Sequence, residues 1–130
     1  MSLGKRIKEL IIDLAAADEG WRYVGAAGQP AFNTNWQNNG GVYADLSFYK
    51  DPTGRVHIRG EVENTAGTGV GETVFTLPAG YRPDEAGIYR HICTSFGDGY
   101  IIILTDGTVN FGGGDASAAL NLDGLSFRAG

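Results

Sequence analysis

Val42 to Val62 reads VYADLSFYKDPTGRVHIRGEV, and the folding of this stretch decides the architecture of the chain. Ala44, Leu46 and Phe48 alternate with Tyr43, Asp45, Ser47 and Tyr49. Beyond the centre, Val56, Ile58, Gly60 and Val62 alternate with Arg55, His57, Arg59 and Glu61. A period of two marks strands that bury one face. Pro52-Thr53-Gly54 fits a three-residue hairpin loop, with Pro52 at the second position of a type I turn and Gly54 left-handed in a G1 bulge. That loop sets Asp51 opposite Arg55, Phe48 opposite Ile58 and Ala44 opposite Val62, so the apolar faces coincide. A two-residue loop would set Phe48 against His57 and break the agreement.

The totals fit this pattern. The chain has 130 residues, enough for one domain that buries roughly two-thirds of its unfolded surface. Glycine supplies 21 residues against 4 prolines, while apolar content is 42%; many tight turns explain this better than disorder. A net charge of −5 without a basic run argues against nucleic acid and against an anionic membrane surface. The longest apolar run, Tyr100 to Leu104, is only strand length, so membrane insertion is not expected. The single cysteine, Cys93, cannot form an intrachain disulfide and sits in an apolar strand pattern, as a buried structural thiol would.

Ahead of the hairpin, residues 4–18 carry a helical stripe. Ile7, Leu10, Ile11 and Leu14 recur at i, i+3, i+4 and i+7, with charged residues opposite, and Gly20 ends the pattern. So short a helix needs a partner. It either lies on its own domain or forms the last turns of a coiled-coil stalk, the stalk being preferred. Residues 1–20 are therefore read as a stalk end and 21–130 as a β domain. Trp21 to Gly41 loses the period apart from a short strand at Trp21 to Val24. Its aromatic and amide residues either pack over a core edge or form a contact surface.

Behind the hairpin, strands are expected at Thr73 to Leu77, Ile88 to Phe96, Tyr100 to Thr105 and Thr108 to Phe111. Gly97-Asp98-Gly99 and Asp106-Gly107 are the expected turns, and Asp123-Gly124 closes a last hairpin. A two-residue Asp106-Gly107 loop directs Ile102 and Leu104 to the core. Ile101 and Ile103 then face outward and need cover from another part of the domain or from a neighbouring subunit, the latter being preferred. The whole reads as an all-β chain, an antiparallel sandwich or jelly roll of some seven or eight strands preceded by a short N-terminal α-helix, and oligomeric.

Catalytic patterns are missing. His57 and His91 stand in separate strands, and no paired Cys or HxxxH spacing supports zinc. Gly112-Gly113-Gly114 has no following Lys and no helix to make a phosphate loop. Asp51, Asp98, Asp106 and Asp123 sit at turn positions, where Asp is a turn former. No metal, no cofactor and no enzyme activity are expected. What remains is surface: Asn35 and Trp36 in the long loop, and Tyr49, His57 and Arg59 on the outer hairpin face. Aromatic rings beside amides and Arg suit a saccharide, since a ring covers the apolar face of a pyranose while amides bond its hydroxyls. The same composition suits a wet protein interface, or Trp36 and Tyr49 simply cover the core edge.

Several segments, in this order, resemble the C-terminal domains of bacteriophage tail-fibre, head-fibre and related receptor-binding proteins. They are Gly28-Gln29-Pro30-Ala31-Phe32 with Trp36, Phe48 to Asp51 with Gly54 to Gly60, Phe75-Thr76-Leu77-Pro78-Ala79-Gly80-Tyr81-Arg82-Pro83, and Leu122 to Phe127. The resemblance covers about residues 21 to 128 and rests on framework positions, so it carries over no binding residue. It implies a homotrimer on the virion surface, made in the host cytoplasm, that adheres to a host cell-surface saccharide or cell-wall component. Ile7, Leu10, Ile11, Leu14, Ile101 and Ile103 are then the expected subunit contacts. A structural trimerisation or capsid-decoration module without its own receptor is the alternative.

Overall fold

The computed structural model describes residues 20–85, 88–95 and 97–130. The helical stripe of Ile7, Leu10, Ile11 and Leu14 and the strand end at Phe96 lie outside the described residues, as do the side chains of His91 and Cys93. Among the described residues the regular elements are all strands, and every ladder between them is antiparallel. One sheet runs β1 (Arg22–Tyr23), β3 (Ser47–Lys50), β4 (Arg55–Arg59), β11 (Leu125–Arg128). The other runs β2 (Trp36–Asn38), β5 (Glu61–Asn64), β10 (Leu120–Asn121), β7 (Ile88–Thr94), β8 (Gly97–Ile103), β9 (Thr108–Gly113), β6 (Thr73–Thr76).

One apolar cluster draws on both sheets. Phe48, Val56, Ile58 and Phe127 come from the four-stranded sheet, and Val62, Phe75, Ile101, Ile103, Val109, Phe111 and Leu120 from the seven-stranded one. Phe48 and Phe75 stack across the join at 6.0 Å between ring centroids. Each such side chain removed from water contributes about 1.5–3 kcal/mol.

The central hairpin forms in the expected register: Ser47 pairs with Arg59, Phe48 with Ile58 and Tyr49 with His57. Its loop is the three-residue one, with the Asp51 N–H donating to the Arg55 carbonyl at 2.9 Å and Gly54 at φ 90°. The pairing stops short of Ala44 and Val62, however. At Gly60 (φ 126°) the chain leaves the first sheet, and Val62 pairs with Leu120 and Asn38 in the second. A Cβ on Gly60 would stand 2.5 Å from the Leu46 Cα. Backbone packs on backbone there, which only glycine allows. The Asp123 carboxylate accepts the Gly60 N–H at 2.7 Å, and the Gly60 carbonyl accepts the Leu122 N–H at 2.9 Å. Asp123-Gly124 therefore does not close a hairpin: β10 and β11 belong to different sheets, and the turn carries the chain between them.

Two further turns differ from expectation. Thr94 pairs with Gly97, so Gly97, Asp98 and Gly99 already belong to β8. Between β8 and β9 the loop is Thr105-Asp106-Gly107, closed by the Leu104 N–H to Thr108 carbonyl bond at 3.1 Å, with Gly107 at φ 89°. This is the geometry of the Pro52-Thr53-Gly54 loop repeated. Ile103 consequently faces Val109, and Ile101 faces Phe111. The shift by one residue reverses the strand's faces. Ile101 and Ile103 are fully buried inside the chain, whereas Ile102 is half-buried and Leu104 is 37% exposed. They are core residues of one copy, which corrects their assignment as subunit contacts. The glycine run after them serves packing, because side chains at Gly112 and Gly113 would collide with the Tyr100 ring.

Two substitutions probe these points by denaturant melts. Gly60→Ala should cost roughly 3 kcal/mol or more, combining a strained φ with displacement of the Leu46 backbone. Ile103→Ala should cost about 2–5 kcal/mol, and Ile102→Ala clearly less. Equal costs at 102 and 103 would contradict the observed register.

Candidate functional site: the outer face of the four-stranded sheet

Alternation along β4 buries Val56 and Ile58 and turns Arg55, His57 and Arg59 outward. Antiparallel register then sets neighbours beside them on the same face. Tyr49 and Ser126 flank His57, Ser47 flanks Arg59, Tyr23 lies beyond Ser47, and Arg128 is directly opposite Arg55.

These side chains form a continuous stack. The Arg59 guanidinium lies 4.0 Å from the centroid of the Trp21 ring, a cation–π contact. Trp21 meets Tyr49 edge-on at 4.6 Å, and Tyr49 lies nearly parallel to His57 at 4.9 Å. Arg59 is fixed further by donating from Nε to Ser47 Oγ at 3.2 Å and from Nη2 to the Tyr23 hydroxyl at 3.2 Å. At the other end His57 Nε2 is 2.8 Å from Asp51 Oδ2. An ionised carboxylate can only accept, so Nε2 carries the proton.

Asp51 joins this row to the hairpin turn. Its Oδ1 accepts from the Thr53 hydroxyl at 2.6 Å, the Thr53 N–H at 2.9 Å and the Arg55 N–H at 3.1 Å. The Thr53 hydroxyl first, then His57 and the Arg55 N–H, hold its carboxyl well below the usual carboxylate range. Asp106 is lowered in the same way by the Thr108 hydroxyl and N–H. Asp51 and Asp106 are thus turn formers, as expected of their positions, while Asp98 lies within β8.

Of the residues singled out from sequence, Tyr49, His57 and Arg59 come together here. Asn35 and Trp36 do not. Trp36 begins β2, an edge strand of the other sheet, and is 5% exposed, edge-on to Phe111 at 6.1 Å. Gly69 lies against its ring, where a Cβ would be 2.8 Å away. Trp36 is therefore core, which corrects its assignment as a ligand contact. Asn35 is exposed beside it with φ 77°, and its carbonyl accepts from the Thr65 N–H at 2.8 Å. Ser47 and Arg55, which the hairpin's alternation already sets on this face, are joined there by Trp21, Tyr23, Ser126 and Arg128, which were not foreseen as members. The alternation of Trp21 and Tyr23 with Arg22 and Val24 was the available signal. It shows a strand, but not that the strand pairs with β3 across more than twenty intervening residues that include β2.

Among the described residues no group of His, Cys, Asp and Glu could hold a metal ion, and no helix is long and apolar enough to cross a membrane. This face presents guanidinium donors, an imidazole and aromatic edges held against one another.

The Asp51 network predicts a pH dependence. A carboxyl held below its unfolded value, about 3.9, stabilises the fold fully above that pH. The contribution is lost as pH falls toward the folded value. Asp51→Asn should therefore be clearly less stable than wild type at neutral pH, and the gap should narrow in denaturant melts repeated below about pH 4. A gap that stays constant through the acid range would show that Asp51 acts through shape alone.

No family model matches this chain, and no curated protein does. Among solved structures, the chain is similar to the receptor binding protein of Listeria phage PSA. The likeness covers 95% of this chain and 75% of that one, with a TM-score of 0.64 at 19% sequence identity. At that identity the likeness is one of fold.

Proposed function

We propose that this chain is the tip domain of a phage fibre or related particle, attaching it to a host-surface saccharide or cell-wall component without catalysing a reaction. The observation that carries the reading is the prearranged aromatic and cationic row of Trp21, Tyr49, His57 and Arg59 on an open sheet face. Its side chains already hold one another, so little rotamer freedom is left to lose on binding. Hydroxyls of a sugar suit the donors of Arg59 and Tyr23, and its apolar ring face suits the exposed aromatic edges. The fold shared with a receptor binding protein of a phage supports the same role. The two sheets are taken as the layers of a jelly-roll-like β-sandwich, since one apolar cluster draws on both.

The same proposal makes the chain a homotrimer on the virion surface, assembled through the stripe of Ile7, Leu10, Ile11 and Leu14 as a coiled-coil stalk. Burial of Ile101 and Ile103 leaves this stripe as the support for assembly.

Binding of the purified chain to a panel of bacterial envelopes and to a glycan array tests attachment. Trp21→Ala and Arg59→Ala should weaken binding by about tenfold or more, while Trp36→Ala should act through lost stability. Binding to no envelope or glycan would favour a trimerisation or capsid-decoration module. Release of reducing ends from an envelope polysaccharide would overturn the non-enzymatic reading. Light scattering tests assembly: wild type should be trimeric and Ile11→Asp monomeric or insoluble, whereas a soluble Ile11→Asp trimer would remove the stalk.

A further inference from the structure

The aromatic row leaves part of the same face unexplained. We propose that Arg55 and Arg128 form a subsite for an oxyanion, a carboxylate or phosphate group carried by the bound saccharide. This rests on the attachment reading for the carrier of the anion.

Arg128 of β11 stands directly opposite Arg55 of β4, and both are exposed. Cross-strand partners have Cβ atoms about 4.5–5.5 Å apart, and like charges so placed disfavour the sheet. The usual remedy is a carboxylate between them. None lies within 4.0 Å of either guanidinium among the described residues; the carboxylate on this face, Asp51, is hydrogen-bonded to His57. Asp51 is the acidic residue of that row, and its oxygens are taken by Thr53, the Arg55 N–H and His57. The strands of the face thus present Arg55, Arg59 and Arg128 in a chain of net charge −5.

The two guanidiniums are also oriented. Arg55 donates from Nε to Ser126 Oγ at 3.1 Å, and Arg128 from Nη1 to the Thr53 carbonyl at 3.3 Å. These bonds use one donor of the five on each side chain and restrain its position. The remaining donors suit the forked hydrogen bonding that Arg makes to carboxylate or phosphate. His57 and Tyr49, one row further along the sheet, place a saccharide ring next to its own anionic group.

Amide NMR titration of the full chain at low ionic strength tests the subsite, with glucose, glucuronate, glucose 6-phosphate and inorganic phosphate as probes. Glucuronate or glucose 6-phosphate should shift the amides of Arg55, His57 and Ser126 to Arg128, and glucose should not. Arg55→Gln and Arg128→Gln should each weaken that binding about tenfold or more. Both variants should melt no lower than wild type, because each removes a like-charged neighbour. Absence of shifts with any anion would overturn the proposal, as would shifts unchanged in both variants or lower melting of both. Inorganic phosphate binding as tightly as glucose 6-phosphate would reduce the site to a free-anion site and overturn the saccharide assignment. The two readings fail separately. Loss of envelope attachment with glucuronate binding intact would sink attachment alone, and attachment that survives both Arg variants would sink the subsite alone.

Discussion

The chain's passage between its two sheets at Gly60 is the constraint on which the remaining geometry depends. A side chain at Gly60 would collide with the backbone of Leu46, and the corner is tied by Asp123 and Leu122, more than sixty positions along the sequence. Before the corner, β4 pairs with β3 and β11; after it, β5 pairs with β2 and β10. Val56 and Ile58 therefore reach the same apolar cluster as Val62, though the strands belong to different sheets. The outward residues of β4 gain a fixed platform from this arrangement. Arg55, His57 and Arg59 can be held in a row only because their inward neighbours are anchored.

The sequence was most legible where local chemistry and alternation agree. Phe48 opposite Ile58 follows from the loop at Pro52-Thr53-Gly54 and from matching apolar faces, and the structure has that register. Reading failed where the deciding interaction is distant or ambiguous. Gly60 looked like one more inward position of a strand, because the contact that demands glycine comes from Leu46 and the clamp from Asp123. Asp106-Gly107 admits both a two-residue and a three-residue loop, and the choice of the former reversed the faces of the isoleucine run. The closing pattern of the first hairpin, glycine third in a three-residue loop, was available as the guide.

The candidate site was half legible for the same reason. Tyr49, His57 and Arg59 share a hairpin, so a period of two places them on one face. Trp21, Ser126 and Arg128 reach that face through pairings whose register no local signal sets. Trp36 illustrates the converse: a large aromatic in an Asn-rich stretch looks like a contact residue, yet its ring fills the core beside Phe111 and Gly69. Composition describes what a segment could bind, whereas burial decides whether it is available to do so.

The resulting picture joins the two-sheet framework to the proposed attachment surface on one sheet face, where aromatic edges, an imidazole and three arginines sit within a few strands of one another. Hydrogen–deuterium exchange on the purified chain, alone and bound to envelopes of a susceptible bacterium, examines that surface without any substitution. Attachment through this face should slow exchange at the backbone amides of β3, β4 and β11 while leaving the edge strand β2 unchanged. Protection confined to β2 and the seven-stranded sheet, with β3, β4 and β11 exchanging as in the free chain, would contradict it.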